Sequence, residues 1–287
     1  MERADDFGGT SQYSHEVDRD ETSFIGHCTL DWMNPIGPAA IAQVLGALGA
    51  PATALDIGCG KAALLREIAR RHRTAGIGID RSPWVIAAAR SAIARDGLND
   101  RVTLLRGDAR EQLAICGQQT FDVVACLGAS HALTSLAETI AKLAPFVRPR
   151  DSAHTERGGR LVLGEGYWRR EPTAAYLAAT GIEREELRPL GELTASIESA
   201  GLVIERTVTA TQADFDRYEE TYAANLERFA TAHEHDGTDA SAVIRARIRP
   251  WFEAFCADRT RRSDGTEGSA MGFAVMVAPG ERMKDEG

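Results

Sequence analysis

The run Ala54-Leu55-Asp56-Ile57-Gly58-Cys59-Gly60-Lys61-Ala62 carries an apolar stretch into a carboxylate and two glycines. Gly76-Ile77-Gly78-Ile79-Asp80 follows about one helix later. Glycines let backbone N–H groups at a helix N-terminus approach a ligand closely, and an acid closing the second strand can accept both ribose hydroxyls. The spacing therefore predicts a βαβ unit built for an adenosine-containing cofactor. A dinucleotide fingerprint places a third glycine where Ala63 stands, and alanine is tolerated there. Asp56 discriminates better. Next to a pyrophosphate its charge would be repelled, whereas it suits the ammonium of an amino-acid tail. Adenine, ribose and a methionine tail satisfy that pattern; a dinucleotide does not.

The elements that must hold these residues alternate regularly. Strands are predicted at Thr53–Ile57, Gly76–Ile79, Val102–Arg106, Phe121–Leu127, Arg160–Gly164 and Leu202–Thr209. Helices are predicted at Ala62–Arg71, Pro83–Arg95, Leu133–Leu143 and Gly191–Ala200. Strands alternating with crossover helices imply an α/β fold, an open and mostly parallel sheet with helices on both faces. Residues 1–20 read as a disordered tail and 21–50 as an N-terminal helical lid. Residues 51–211 and 269–280 form the core, its last strand antiparallel, interrupted by a helical cap insertion at 212–268. Within that cap Tyr218, Tyr222, Leu226 and Phe229 make an apolar stripe, read as the face that docks the cap onto the sheet.

Bulk properties exclude some functions. The chain has 287 residues, 44% hydrophobic, with a formal charge of -9, which argues against nucleic-acid partners. No run reaches about 18 apolar residues, so no membrane span is expected. The first residues lack the basic and apolar regions of a signal peptide, and a cytoplasmic location is expected. Five dispersed cysteines read as reduced thiols. His233 and His235, two apart on a helix, point to different faces, and no metal is assigned.

Four segments in order resemble the class I S-adenosylmethionine-dependent methyltransferases of the bacterial small-molecule type, with a Rossmann-like fold. They are Asp56-Ile57-Gly58-Cys59-Gly60-Lys61-Ala62, Asp80, Gly107-Asp108-Ala109 and Phe121-Asp122-Val123-Val124-Ala125-Cys126-Leu127-Gly128. One departure is Ala62, where the family usually has glycine, expected to move the adjoining backbone slightly. The resemblance implies S-adenosyl-L-methionine as cofactor. Asp56, Gly58 and Gly60 would hold its methionine end and Asp80 its ribose. Asp108 and Ala109 would meet the adenine edge, Leu127 and Gly128 would line the cofactor, and Arg81 and Trp84 would pack against adenine.

The acceptor should lie beyond the C-terminal ends of the later strands. Glu165 and His131 are the candidates for a general base or acceptor-orienting group. Tyr167, Trp168, His27, Trp32 and Tyr218 are the candidate acceptor contacts. Arginines 148, 150, 157, 160, 169 and 170 could favour an anionic acceptor, with a solvated loop as the preferred reading. The expected activity is methyl transfer to an O, N or C atom of a small molecule, in bacterial specialised metabolism. A nicotinamide-dependent oxidoreductase and a non-catalytic cofactor-binding module are the rival readings, and a homodimer is left open.

Overall fold

A computed structural model describes residues 19–150, 158–235, 239–263 and 269–279. Most of the predicted tail at 1–20, and Arg157, lie outside them. Seven strands form one sheet: β1 (Thr53–Ile57), β2 (Ala75–Asp80), β3 (Val102–Arg106), β4 (Val123–Leu127), β5 (Arg160–Trp168), β6 (Arg206–Thr209) and β7 (Met271–Pro279). Their order is β3-β2-β1-β4-β5-β7-β6. Strands β1 to β5 pair in parallel, and β7 runs antiparallel between β5 and β6. Strand β1 is central, so Ala54, Leu55 and Ile57 are fully buried. Both faces of such a strand are covered, which explains why Ala54, Leu55 and Ile57 are apolar on either side of it.

Ten helices among the described residues cover the sheet and its edge: α1 (Arg19–Gly26), α2 (Pro38–Leu48), α3 (Ala63–His72), α4 (Pro83–Arg95), α5 (Ala109–Cys116), α6 (Leu136–Leu143), α7 (Ala174–Thr180), α8 (Leu190–Ser199), α9 (Gln212–Ala232) and α10 (Ala240–Ser263). No described helix is long and apolar enough to cross a membrane. Leu64, Leu65 and Ile68 of α3 fill one face of the sheet, and Ile140 and Leu143 of α6 fill the other.

Three sequence expectations change. Strand β5 continues through Trp168 because β7 supplies a partner as far as Met271, so Glu165 to Trp168 are strand residues rather than a following loop. Strand β6 starts only at Arg206, where its antiparallel register with β7 begins opposite Val277. The stripe of α9 does not dock on the sheet. Leu226 and Ala230 pack with Ile25 of α1 and with Ile244 and Ile248 of α10, joined by Tyr222, Phe229 and Trp251, in a separate small core. Two further helices were available to bury that stripe, and they compete successfully with the sheet.

Candidate active site

The turn after β1 has three residues in the left-handed region: Gly58 at φ +65°, Gly60 at +55° and Ala62 at +56°. A Cβ at Gly58 would overlap Ala129. Ala62 thus takes a left-handed backbone conformation of the kind glycine favours. An L side chain in that region is strained, and the turn holds it because Ala62 is wholly buried. The Gly60 N–H donates to Asp80 Oδ2 at 3.0 Å and the Ser82 N–H to Oδ1 at 2.9 Å. These bonds fix the Asp80 carboxylate at the end of β2, while burial raises its pKa.

These groups open onto a first cavity of about 540 Å3 at the C-terminal ends of the strands. Of the sequence candidates, Gly58, Gly60, Asp80, Arg81, Asp108, Ala109, Leu127, Gly128, His131 and His27 all line it. Asp56 lies beside it in a narrow cleft of about 30 Å3 that also takes in Trp32 and shares Met33, Gly58, Gly60 and Leu127 with the larger space. Burial, with the Asp80 charge adding to it, pushes the Asp56 carboxyl up to about 8. Asp108 caps α5, accepting from the Arg110 N–H at 2.8 Å, and its carboxylate pairs with the Arg110 guanidinium at 2.6 Å. That pair holds its pKa down near 2. Arg81 pairs with Asp20 of α1 at 2.7 Å, and Trp84 stacks on Phe24 of α1 outside the cavity lining.

Helix α1 closes one side, and two contacts that sequence reasoning missed hold it there. Lys61 Nζ donates to the His27 carbonyl at 2.7 Å and the Cys28 carbonyl at 2.9 Å. The glycine turn is thus tied to the segment above it. His27 Nδ1–H donates to the Ser23 carbonyl at 2.6 Å, since a carbonyl can only accept. Nε2 is then the acceptor for the Tyr218 hydroxyl at 2.7 Å. Burial, helped by the Lys61 charge against the Ser23 bond, lowers the imidazole to about 4. A neutral His27 thus bridges α1 to α9.

A second cavity of about 870 Å3 adjoins the first and shares Met33, Gly128, His131 and Thr134 with it. Glu165, Tyr218 and Glu219 line this space with apolar walls from Phe215, Leu193 and Phe273. Burial raises Glu165 to about 7, opposed by a hydrogen bond from the Ser130 side chain. Glu219 was absent from the sequence candidates; its one available signal was a carboxylate on the face of α9 next to Tyr218. Tyr167 and Trp168 line neither cavity. Tyr167 packs into the core, and Trp168 is buried with its indole N–H donating to the Arg184 carbonyl at 2.8 Å. Being strand residues paired with β7, they turn into the layers of the fold instead of into a loop.

Four of the arginines singled out in the sequence are engaged elsewhere. Arg148 pairs with Asp122, Arg160 with Glu205 and Arg170 with Asp258, while Arg169 donates to Gln212 and to the Ala210 carbonyl. Arg150 is exposed. No group of three or more His, Cys, Asp or Glu among the described residues is placed to hold a metal ion.

A seven-stranded sheet of this order with its glycine turn and paired strand-end acids defines a methyl-donor-binding fold, and the comparisons agree. Residues 54–150 match a family model described as a methyltransferase domain. The uncharacterized protein YjhP of Escherichia coli (strain K12) is 30% identical over 196 residues, 68% of this chain and 74% of its own length. The X-ray structure of YjhP has a TM-score of 0.75 at 24% identity, covering 90% of this chain and 98% of that one, a likeness of fold. S-adenosylmethionine-dependent methyltransferases from Thiobacillus denitrificans and Geobacter sulfurreducens were both solved with S-adenosyl-L-homocysteine. Each is 28% identical, with TM-scores of 0.74 and 0.73, covering 89% and 92% of this chain and 96% and 100% of theirs. The chain belongs to the class I S-adenosylmethionine-dependent methyltransferases, and S-adenosylmethionine is its cofactor. None of these similarities supports the nicotinamide-dependent alternative.

Proposed function

We propose that this methyltransferase acts on a small-molecule acceptor held in the second cavity while the first holds the cofactor. The observation that carries this reading is the shared wall of Met33, Gly128, His131 and Thr134 between the two spaces. Methyl transfer needs nucleophile, carbon and sulfur aligned, and alignment alone supplies much of the rate. The donor residues fit the group. Asp80 keeps lone pairs for a ribose diol beyond its two backbone bonds, and Asp56 matches an ammonium.

Bound there, S-adenosylmethionine supplies a methyl group on a positively charged sulfur. The chain's own residues do the rest. Asp56 and the Gly58–Gly60 backbone hold the amino-acid end, Asp80 the ribose, and Asp108 with Ala109 the adenine edge. Asp108 must then share its carboxylate between Arg110 and the ligand. Glu165 takes a proton from the acceptor, and its raised pKa keeps it basic enough to do so near neutral pH. His131, on the shared wall, orients the acceptor. Helices α1 and α9, tied by His27 and Tyr218, exclude water. A volume of about 870 Å3 suits a drug-sized acceptor better than a protein segment.

Isothermal titration with S-adenosylmethionine and S-adenosylhomocysteine tests the cofactor side, and binding of both is expected. Failure of both to bind at millimolar levels would end the reading. A labelled-methyl assay across small-molecule extracts tests the acceptor side. Cofactor binding with no transfer to any of them would favour the non-catalytic module.

A further inference from the structure

The second cavity offers more hydrogen-bond acceptors than the described residues satisfy. Glu219 of α9 is 5% exposed, lines the cavity, and its Oε2 meets no hydrogen-bond partner among the described residues. Glu165 of β5 leaves its Oε1 unpaired in the same way, although Ser130 bonds its carboxyl group. A buried carboxylate oxygen without a donor is costly, and both of these belong to residues that line one space, so that space calls for a ligand that brings N–H or O–H groups. Asn34 Oδ1 is also unpaired there. An amide can present either end, however, and so the carboxylates settle the matter.

Charge narrows the choice further. Glu185 and Glu186 stand at the exposed mouth with Arg188, so four carboxylates line the space against that one guanidinium. Arg148, Arg160 and Arg170 are occupied in the ion pairs described above, Arg169 in its bonds to Gln212 and Ala210, and none of the four lines this space. Burial raises both Glu165 and Glu219, the latter to about 8 with help from the charge of Asp216. An arriving cation offsets that cost for each, and a neutral polyol does not.

We infer that the acceptor is an organic amine with an apolar body, bound as its ammonium ion with N–H groups donating to Glu219 and Glu165. The body lies against Phe215, Leu193 and Phe273. One ammonium N–H bond breaks as its proton passes to a Glu165 oxygen, forming O–H and leaving the nitrogen lone pair free. Glu219 remains as the counter-charge. This inference rests on the methyltransferase reading above, and the experiment separates the two.

The full chain is first titrated with S-adenosylhomocysteine, and absence of binding there overturns the methyltransferase reading itself. With that ligand saturating, three matched probes follow by calorimetry and ligand-observed NMR: phenethylamine, 2-phenylethanol and 3-phenylpropionate. The amine is expected to bind at least tenfold more tightly than the alcohol, and the carboxylate not at all. Glu219→Gln is expected to weaken the amine at least tenfold while S-adenosylhomocysteine affinity stays unchanged, which also shows that the variant folds. Should that variant fail to bind S-adenosylhomocysteine, Glu165→Gln is read by the same criteria. Three results overturn the proposal: the amine lacking a tenfold advantage over the alcohol or the carboxylate, no binding of the amine, or an amine affinity that the folded variant leaves within tenfold of wild type.

Discussion

The two cavities meet at four residues but are made differently. The first is walled largely by the turns that follow β1, β2, β3 and β4, with backbone groups and strand-end acids that lie within 80 residues of one another. The second gathers side chains from β5, α8, α9 and β7 and the segment after α1, positions that span residues 33 to 273. A site made from the ends of parallel strands comes with the fold. A site made from what covers those ends can change while the sheet stays the same, because its walls sit on elements that the sheet does not need. This is how one cofactor scaffold accepts many acceptors.

The largest effect that would sharpen this contrast belongs to Glu165. Glu165→Gln is expected to slow methyl transfer about 100-fold or more, the range for loss of a general base, with S-adenosylhomocysteine affinity unchanged by calorimetry. The wild-type rate should rise as pH increases through about 7, because the carboxyl must be ionised to take a proton. The variant should lose that limb. An equal loss of cofactor affinity would break the division between the two spaces.

The reverse pattern is expected at Asp80. Asp80→Ala removes the ribose acceptor and the anchor of the Gly60 N–H, and charge-assisted hydrogen bonds are worth about 1.5–3 kcal/mol. Cofactor affinity should fall about 10- to 100-fold, with amine binding in the second cavity preserved.

Asp56 adds a pH test. Its carboxyl, raised to about 8, must lose its proton to pair with an ammonium, so cofactor affinity should strengthen as pH rises from 6 to 9 with net proton release on binding. Asp56→Asn should bind the cofactor about tenfold more weakly and abolish that slope. The stability effect has the opposite sign. The folded state holds this proton more tightly than the unfolded chain, so the stabilisation is fully present below about 4 and is lost as pH rises through about 8. In the absence of cofactor, the variant should therefore melt above wild type at pH 8–9.

The smallest change is expected at Ala62→Gly. Relief of the left-handed alanine is worth about 1 kcal/mol net of the added unfolded-state entropy. The melting temperature should rise by about 2–4 °C, with both cavities unaltered. A lower melting temperature would show that the turn does not carry strain.

Much of the first cavity was legible because local rules create it. The glycines, Asp80 and the Asp108 cap announce themselves by position relative to apolar runs. The missing glycine at Ala62 was legible too, but not its consequence, since only the closed turn shows that the backbone stays left-handed. Lys61 carries no local signal of what it does. Its role as a tie to His27 and Cys28 depends on where α1 returns, some 35 residues earlier in the chain. Tyr167 and Trp168 misled because the partner that keeps β5 extended is β7, about a hundred residues later.

The order of apolar runs, glycines and strand-end acids set by itself the doubly covered sheet and the methyl-donor chemistry, because period and turn geometry act over a few residues. The tertiary structure alone decided that Glu219 shares a space with Glu165, that the α9 stripe faces α1 and α10, and that Arg148, Arg160 and Arg170 are spent in ion pairs. Those outcomes depend on which distant surfaces meet once the chain is closed, and on the burial that follows. Neither is written in any local stretch of residues.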